Sequence, residues 1–400
     1  MKDSARRFRF AAAYVSYAAV YIARMNLTIA APALIEEGIL SAWQIGLMGG
    51  VFFLLYSLGQ LLNGWLGDIF SARRMVTVGL LLTAASNVGI GLSLQADNAI
   101  CLWALNGFAQ SMLWGPLLRT VGCMYPSGKK SFAASVLGSS IGVGSVLGIA
   151  LAAGTIPALG VRYAFLLPGG FAFLSAGMSF LLLPAEPRRH KRAQASEDSL
   201  HALLNPQLLI LLIPALCHGI LKDGINLWAA TFFIDTYKID LASMSFYVFA
   251  VPLLSLAGRL VYMPLYQLFR RQEHIVSIVS LGICAVCLIP LCLPGTPAGA
   301  AALCLGMNAA ALSLVNASFL TIYPMKYQGA GCVSRVVGLL DFATYAGAGI
   351  GSLVYGKHLE ENGYAGMFFS WMLLAAAAIL LLGFIQHSGM KQFRFLRKGA

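Results

Sequence analysis

Residues 64–75 read GWLGDIFSARRM and lie between two long apolar segments of the chain. Gly64 has no side chain and allows another helix to approach closely. Asp68 falls where the first apolar segment ends, where it can pair with a basic residue or cap the N-terminus of a neighbouring helix. Arg73 and Arg74 can anchor the turn at lipid headgroups. The stretch therefore predicts a short charged turn between two membrane helices.

The composition of the chain is that of a membrane protein with many spans. Of its 400 residues, 59% are hydrophobic and 10% are charged, whereas a soluble domain carries about 25% charged residues. The apolar run after Arg9 continues to Leu34 without a small-residue cleavage site, so it is interpreted as a first span and not as a signal peptide. Since a span needs about 20 apolar residues, we predict twelve: 10–34, 43–66, 75–95, 99–124, 131–157, 163–184, 207–235, 242–268, 275–294, 298–324, 332–356 and 364–387.

The basic residues indicate the orientation of these spans. The two termini and every second connection together carry 19 Lys and Arg, whereas the other connections carry 3. Because cytoplasmic loops are enriched in Lys and Arg, both termini are predicted to be cytoplasmic, in a multi-pass protein of the cytoplasmic (inner) membrane. The net charge of +12 is thus explained by topology, and no nucleic-acid partner is predicted.

The chain consists of two similar halves. The polar stretch 186–205 separates six spans from six, which predicts an N-terminal bundle at 1–185, a cytoplasmic loop at 186–205 and a C-terminal bundle at 206–400 with a short basic tail. The dipeptide Tyr125-Pro126 recurs 198 residues later as Tyr323-Pro324, and Arg24 and Lys222 share that offset. Parallel repeats of this kind place a substrate near the bilayer midplane, between the halves.

The spacing G-x-x-x-D-x-x-x-x-R-R of residues 64–74 resembles the loop 2–3 signature of the major facilitator superfamily. The resemblance implies an all-α membrane protein with the major facilitator fold, twelve transmembrane helices in two pseudo-symmetric six-helix bundles. It also implies a gating role for Gly64, Asp68, Arg73 and Arg74. Gln267 stands where the second half would have its aspartate, so the gating clasp is expected in the first half only.

Three segments resemble the organophosphate:phosphate antiporter family, which includes glycerol-3-phosphate and hexose-phosphate transporters. They are YVSYAAVYIARMN in span 1, NGFAQSMLWGPLLRT in span 4 and LKDGINLW in span 7. The resemblance implies secondary transport of a small organic anion, such as a phosphate ester exchanged for inorganic phosphate, by rocking of the two halves. The family's span-2 lysine is Gln60 here, its span-5 histidine is Ile141 and its second substrate arginine is Lys222. Lysine cannot form the bidentate fork that arginine makes with phosphate.

The residues themselves point to an anion site. Tyr17, Tyr21 and Arg24 lie on one helical stripe. Arg24 and Lys222 each lie some 15 residues into their helices, which corresponds to about 22 Å. Two cations at equal depth, one from each half, describe a clamp for an anion. We therefore predict that Arg24 and Lys222 bind the substrate and that Tyr17, Tyr21, Asn26 and Trp114 shape the site.

Four further residues are candidates for secondary anion contacts. Arg119 and Arg335 lie near the cytoplasmic ends of their spans and either anchor the helix ends or steer anions inward. Arg259 corresponds to Gln60 in the repeat, and so can supply from the second half the charge that Gln60 lacks.

Intramembrane carboxylates leave a second mechanism open. Asp223 or Asp341, together with His218, can form a proton relay, which would make the protein a proton-coupled symporter of an organic carboxylate. Because neighbouring residues in a helix point about 100° apart, Lys222 and Asp223 are not expected to pair ideally, and Asp341 is a candidate partner of Lys222 or Arg335. A transporter-like receptor for a sugar phosphate is a third possibility.

No enzyme activity and no cofactor are predicted. The eight cysteines include the pair Cys284 and Cys287, but no second pair or spaced histidines accompany it, so no metal site is expected. The expected partners are a small anionic substrate and the lipid bilayer, and the expected state is a monomer.

Overall fold

The computed structural model describes residues 3–185, 203–239 and 247–396. The predicted central loop, apart from residues 203–205, lies outside the described residues, and so does the beginning of the predicted span 242–268. The described parts of all twelve predicted spans are mostly helical, and the described residues contain no β-strand. The all-α prediction is therefore confirmed.

Helices follow one another along the described chain, joined by short connections. They are α1 (Asp3–Glu36), α2 (Ala42–Ile69), α3 (Ala72–Ser93), α4 (Ala96–Gln110), α5 (Trp114–Met124), α6 (Ser127–Leu159), α7 (Tyr163–Leu182), α8 (Pro206–Tyr237), α9 (Ala250–Leu268), α10 (Glu273–Cys292), α11 (Ala298–Ala317) and α12 (Val333–Leu396). Between α11 and α12 stand a π-helical turn, Ser318–Ile322, and a 3₁₀ turn, Tyr323–Gln328.

Two predicted boundaries differ from the observed ones. The predicted span 99–124 is two helices, α4 and α5, because the helical pattern breaks between Gln110 and Trp114. The last two predicted spans lie within α12, which is interrupted at Gly363, whose φ of 64° and ψ of −176° are not helical. Eight helical segments of the described chain are long and apolar enough to cross a membrane, so the protein is a multi-pass membrane protein.

The chain divides into two compact units. The first comprises Met1–Ser199 with Pro324–Phe342, and the second comprises Leu200–Tyr323 with Ala343–Ala400. The beginning of α12 therefore packs with the first unit, although it lies in the second half of the sequence.

In the first unit, α1 packs against α6 and α7, α3 against α4 and α7, and α2 against α4. Two glycines one turn apart bring α6 onto the backbone of α1. A β-carbon added at Gly144 would lie 2.9 Å from the Tyr21 β-carbon, and one added at Gly148 would lie 2.9 Å from the Ile22 α-carbon. The α1–α6 contact thus depends on the absence of side chains at both positions.

In the second unit, α11 packs against α9 and α10. A β-carbon at Gly219 of α8 would collide with the carbonyl oxygen of Thr344, and one at Gly347 of α12 would collide with that of Leu216. Helices α8 and α12 therefore meet backbone to backbone. This contact places Lys222 of α8 beside Tyr345 of α12.

Candidate functional site

Arg24 lies inside the first unit, enclosed by aromatic rings. The residue is only 7% exposed to solvent. The guanidinium carbon is 4.7 Å from the ring centre of Tyr21, 4.6 Å from that of Tyr56 and 5.1 Å from that of Phe52. Aromatic faces attract a cation through the ring quadrupole. The cage therefore stabilises the buried charge without neutralising it.

A glutamine from α4 holds the guanidinium from another side. Arg24 Nε donates to Gln110 Oε1 at 2.8 Å. Gln110 Nε2 in turn donates to Asn106 Oδ1 at 3.1 Å and to the carbonyl of Ala23 at 3.4 Å. These two bonds turn the amide oxygen toward the arginine. The contact is a charge-assisted hydrogen bond to a neutral acceptor.

Tyr17, on the same stripe of α1 as Arg24, forms an aromatic pair with Trp114 of α5. Their ring centres are 4.6 Å apart, and those of Tyr17 and Tyr21 are 5.6 Å apart. Trp114 is the first residue of α5, directly after the break that follows Gln110. The break therefore lies between Gln110, which bonds Arg24, and Trp114, which packs on Tyr17.

Asn26 is placed differently from the other predicted residues of the first half. It is fully buried, and its Nδ2 donates to Asn87 Oδ1 at 2.8 Å and to the carbonyl of Ala164 at 3.0 Å. These bonds join α1 to α3 and α7. Within the described residues, Asn26 contributes to helix packing behind the arginine cage.

Lys222 in the second unit lies beside a carboxylate and an aromatic ring. Its Nζ is 3.4 Å from Asp223 Oδ2 and 4.7 Å from the ring centre of Tyr345. The two neighbouring residues thus form an ion pair, although they point about 100° apart on the helix. The two side chains are 23% and 16% exposed, so the pair is partly accessible.

His218 and Asp341 are both buried. His218 is fully buried, and neither ring nitrogen has a hydrogen-bond partner within the described residues. Its ring meets that of Phe319, in the π-helical turn, edge-on at 6.1 Å. Asp341 lies in the part of α12 that belongs to the first unit, whereas His218 and Asp223 belong to the second.

Two of the candidates for secondary anion contacts, Arg119 and Arg259, form hydrogen bonds within their own units. Arg119 donates to the carbonyl of Phe70 at 2.8 Å. Arg259, on α9, donates to α11 and to the π-helical turn, reaching Ser313 O at 3.4 Å, Asn316 Oδ1 at 3.2 Å and Thr321 Oγ1 at 3.1 Å. Gln60 is buried in the first unit.

Asp68 caps the N-terminus of α12. Its two carboxylate oxygens accept hydrogen bonds from the backbone N–H groups of Ser334 and Arg335, both at 3.0 Å, and the Arg335 Nε is 3.6 Å from Oδ2. A β-carbon at Gly64 would lie 2.8 Å from the Ser334 carbonyl. This is the capping arrangement that the sequence suggested for Asp68, and the gating role of the motif stays a prediction.

The two arginines of the motif have separate positions. Arg73 Nε donates to the carbonyl of Leu183 at 2.8 Å, and its guanidinium lies 5.7 Å from the ring centre of Phe180. The backbone N–H of Arg74 donates to Ser71 Oγ, which caps α3. Arg73 thus links the turn to the end of α7.

The described residues contain no group of three or more His, Cys, Asp or Glu that could hold a metal ion. Cys284 belongs to the cysteine pair at which no metal site was expected. Its thiol donates a hydrogen bond to Asn308 Oδ1 at 2.9 Å. Its thiol takes part in the packing of α10 on α11.

Several curated proteins are similar to this chain. A phosphoglycerate transporter protein of Salmonella typhimurium is 23% identical over 97% of this chain and 90% of its own length. A probable hexose phosphate transport protein of Chlamydia trachomatis is 27% identical over 44% of this chain, and a glycerol-3-phosphate transporter of Haemophilus influenzae is 29% identical over 34%. The matches cover only 38% of the C. trachomatis protein and 30% of the H. influenzae protein. These relatives agree with the predicted resemblance to the organophosphate:phosphate antiporter family.

Solved structures share the fold. The transporter FucP in its outward conformation superposes with a TM-score of 0.74 at 16% identity, over 95% of this chain and 99% of that one. The human organic anion transporter MFSD10 gives a TM-score of 0.72 at 17% identity, over 94% and 99%. The sequence profile of the Major Facilitator Superfamily matches residues 13–352. A family of transporters also agrees with the prediction that the protein is not an enzyme. The chain therefore belongs to the Major Facilitator Superfamily.

Proposed function

We propose that the protein is a secondary active transporter of a small organic anion, working by alternating access of its two halves. One observation carries the proposal: an arginine stands deep in an apolar helix, held by aromatic rings and a neutral amide. A charge at bilayer depth is costly, and such residues mark substrate or ion pathways. Binding of an anion by Arg24 would offset this cost.

Lys222 is the proposed second cation. It occupies the equivalent position of the second half at an offset of 198 residues and is partly accessible. Tyr17, Tyr21 and Trp114 would contact the organic part of the ligand through their rings. Anion binding to cations of both halves gives the ligand different contacts in different states, as alternating access requires.

Phosphate esters, exchanged for inorganic phosphate, are the first ligands to test. The names of the relatives include hexose phosphate, phosphoglycerate and glycerol-3-phosphate. We also propose that the protein is a monomer in the inner membrane. Both termini would lie in the cytoplasm, since Lys and Arg are concentrated on one face. Proton-coupled symport is not favoured, because Asp223 lies against Lys222.

The test is uptake into proteoliposomes loaded with inorganic phosphate and offered labelled glycerol 3-phosphate and hexose 6-phosphate. We expect exchange that needs no pH gradient, and we expect Arg24→Ala to reduce it at least about hundredfold, since loss of a buried charged contact costs about 3 kcal/mol or more. Arg162→Ala, outside the predicted spans, is the matched control and should retain wild-type flux.

Three results would contradict the proposal. Uptake driven only by a proton gradient would support the symporter instead. Ligand-induced thermal stabilisation without any flux would support a receptor. Full uptake by the Arg24→Ala protein would remove Arg24 from the substrate site.

A further inference from the structure

The side chain of His218 is buried without a hydrogen bond. His218 belongs to α8 and is 0% exposed, and neither ring nitrogen has a partner in the described part of the chain. A neutral imidazole carries one N–H donor and one acceptor, and leaving such groups unsatisfied in a protein interior is costly. Native structures contain few of them, and each calls for a reason. A hydrogen bond formed with a ligand, in another state of the protein, would be such a reason.

The position of His218 on α8 relates it to the proposed site. His218, Lys222 and Asn226 follow one another at intervals of four residues, so they form a row along one side of the helix. Exposure rises along this row. His218 is fully buried, the Lys222 side chain is 23% exposed, and Asn226 is exposed. The row is therefore open at Asn226 and closed at His218, one turn away from the proposed second cation.

An aromatic ring of the π-helical turn Ser318–Ile322 covers His218. The ring of Phe319, the second residue of the turn, meets that of His218 edge-on, with 6.1 Å between the ring centres. The backbone N–H of Tyr323 bonds the Ser318 carbonyl, five residues back. Such turns are rare and frequently stand at functional sites. A change to α-helical geometry would turn the chain by about 100° here and move Phe319 relative to His218.

Helix α12, the other neighbour of His218, is held close to α8. A β-carbon at Gly219 would collide with the Thr344 carbonyl, and one at Gly347 would collide with that of Leu216. The two helices thus meet backbone to backbone on both sides of His218 in the sequence. Contacts of this kind fix α8 and α12 to each other. The π-helical turn is therefore the element whose movement would uncover the imidazole.

We propose that His218 is a substrate-contacting residue, whose imidazole donates a hydrogen bond to an oxygen of the organic anion at Lys222 when Phe319 has moved off the ring. This role rests on the proposed function and adds a residue to the same site. The contact forms in one state of the transport cycle and is absent in the state described here. It therefore gives the substrate different affinities for the two states, which is what lets a ligand shift a conformational equilibrium.

The test measures both substrate exchange and thermal stability of the full-length protein. Proteoliposomes loaded with inorganic phosphate are offered labelled glycerol 3-phosphate and hexose 6-phosphate, and melting temperatures are measured in detergent. His218→Leu should lower exchange about tenfold, because a hydrogen bond to a charged ligand is lost. The same variant should melt at a higher temperature than the wild type, because it removes an unsatisfied polar group from the interior. Higher stability with lower activity is the cost expected at a functional residue.

His218→Gln tests the hydrogen bond itself. Glutamine keeps a side-chain N–H donor, so this variant should stay within about threefold of wild-type exchange, since the bond is weakened and not lost. His218→Ala is a second apolar variant, which should lose as much exchange as His218→Leu. With it, the test does not depend on the folding of a single variant.

Ser280→Ala is the matched control. Ser280 lies on α10 of the same unit and is 1% exposed, and its hydroxyl likewise has no hydrogen-bond partner among the described residues. It belongs neither to α8 nor to the π-helical turn. The variant should therefore keep the melting temperature of the wild type or exceed it, and it should exchange substrate at the wild-type rate.

Different results overturn the two proposals. Wild-type exchange by either apolar variant removes His218 from the substrate site while transport itself stands. A loss in His218→Gln as large as in His218→Leu does the same, and so does a His218→Leu protein that melts below the wild type, because both outcomes assign the residue to packing. If the wild-type protein takes up neither probe in an Arg24-dependent way, the proposed function fails, and the role of His218 fails with it.

Discussion

Arg24 and Lys222 occupy matching positions in the two halves of the sequence, yet their surroundings differ. Arg24 is almost fully buried, and its neighbours include three rings and a glutamine oxygen. Lys222 is partly accessible, and its neighbours include Asp223 and the ring of Tyr345. The repeat thus preserves the position of a cation, whereas each half surrounds that cation with different groups. Three pairs of variants test this asymmetry.

Exchanging the two cation types should have the largest effect. Arg24→Lys should reduce substrate exchange about hundredfold, because it loses a charged hydrogen bond of about 2 kcal/mol and ring stacking of about 1 kcal/mol. Lys222→Arg should stay within about threefold of wild type, because arginine can also pair with Asp223 and stack on Tyr345. Proteoliposome exchange rates measure both variants. Equal losses at the two sites would contradict the asymmetry.

Removing one hydrogen-bonding side chain near each cation should have a smaller effect on exchange. Gln110→Leu leaves Arg24 Nε without its acceptor at 2.8 Å, which we expect to lower exchange about tenfold, since such bonds contribute about 1.5–3 kcal/mol. Asn226→Ala removes an exposed bond to the Lys222 carbonyl and should change exchange less than about twofold.

Melting temperatures in detergent separate folding from binding for this pair. The Gln110→Leu protein should melt at a somewhat lower temperature than the wild type, because a buried donor loses its acceptor, and it should also lose most of the ligand-induced stabilisation. If Asn226→Ala proved the more damaging variant, the hydrogen bond to Gln110 would not be what positions the site.

Removing one ring from each site should have the smallest effect. Tyr56→Leu should lower exchange about threefold and Tyr345→Leu about twofold, because a cation–π contact contributes about 0.5–2 kcal/mol and more when it is desolvated. Tyr56→Phe and Tyr345→Phe are the controls, since they keep the rings. A loss with the phenylalanine variants as large as with leucine would assign the effect to the hydroxyl groups and not to the ring faces.

The sequence predicted the parts of the fold and the site that depend on local patterns. The span positions follow from apolar run length, and the stripe of Tyr17, Tyr21 and Arg24 follows from helical periodicity. The break before Trp114 was missed, because the spans were predicted from the length of apolar runs, which gave no weight to the breaker pair Gly115-Pro116. The interruption at Gly363, in contrast, coincides with a predicted connection between spans.

The rest of the site needed tertiary structure. Gln110 stood in the segment that resembles the antiporter family, but nothing in its spacing assigned it to Arg24. Phe52 and Tyr56 lie in α2, and an apolar run with aromatic residues gives no sign of a neighbouring cation. Asn26 was predicted to shape the site, whereas its bonds run to α3 and α7. Packing decides which of several neighbouring helices a residue faces. The periodicity of the sequence carries no information about this choice.

The contact between α6 and α1 has a consequence for how the protein can change over evolutionary time. Because Gly144 and Gly148 meet the backbone of α1 directly, the contact at these two positions uses no side chain of α6 that could change. Lipid-facing residues of both helices can then be exchanged freely while Tyr21, and with it one ring of the arginine cage, keeps its place. Divergence to 23% identity with a phosphoglycerate transporter protein is compatible with an intact cage as long as these two positions carry no side chain.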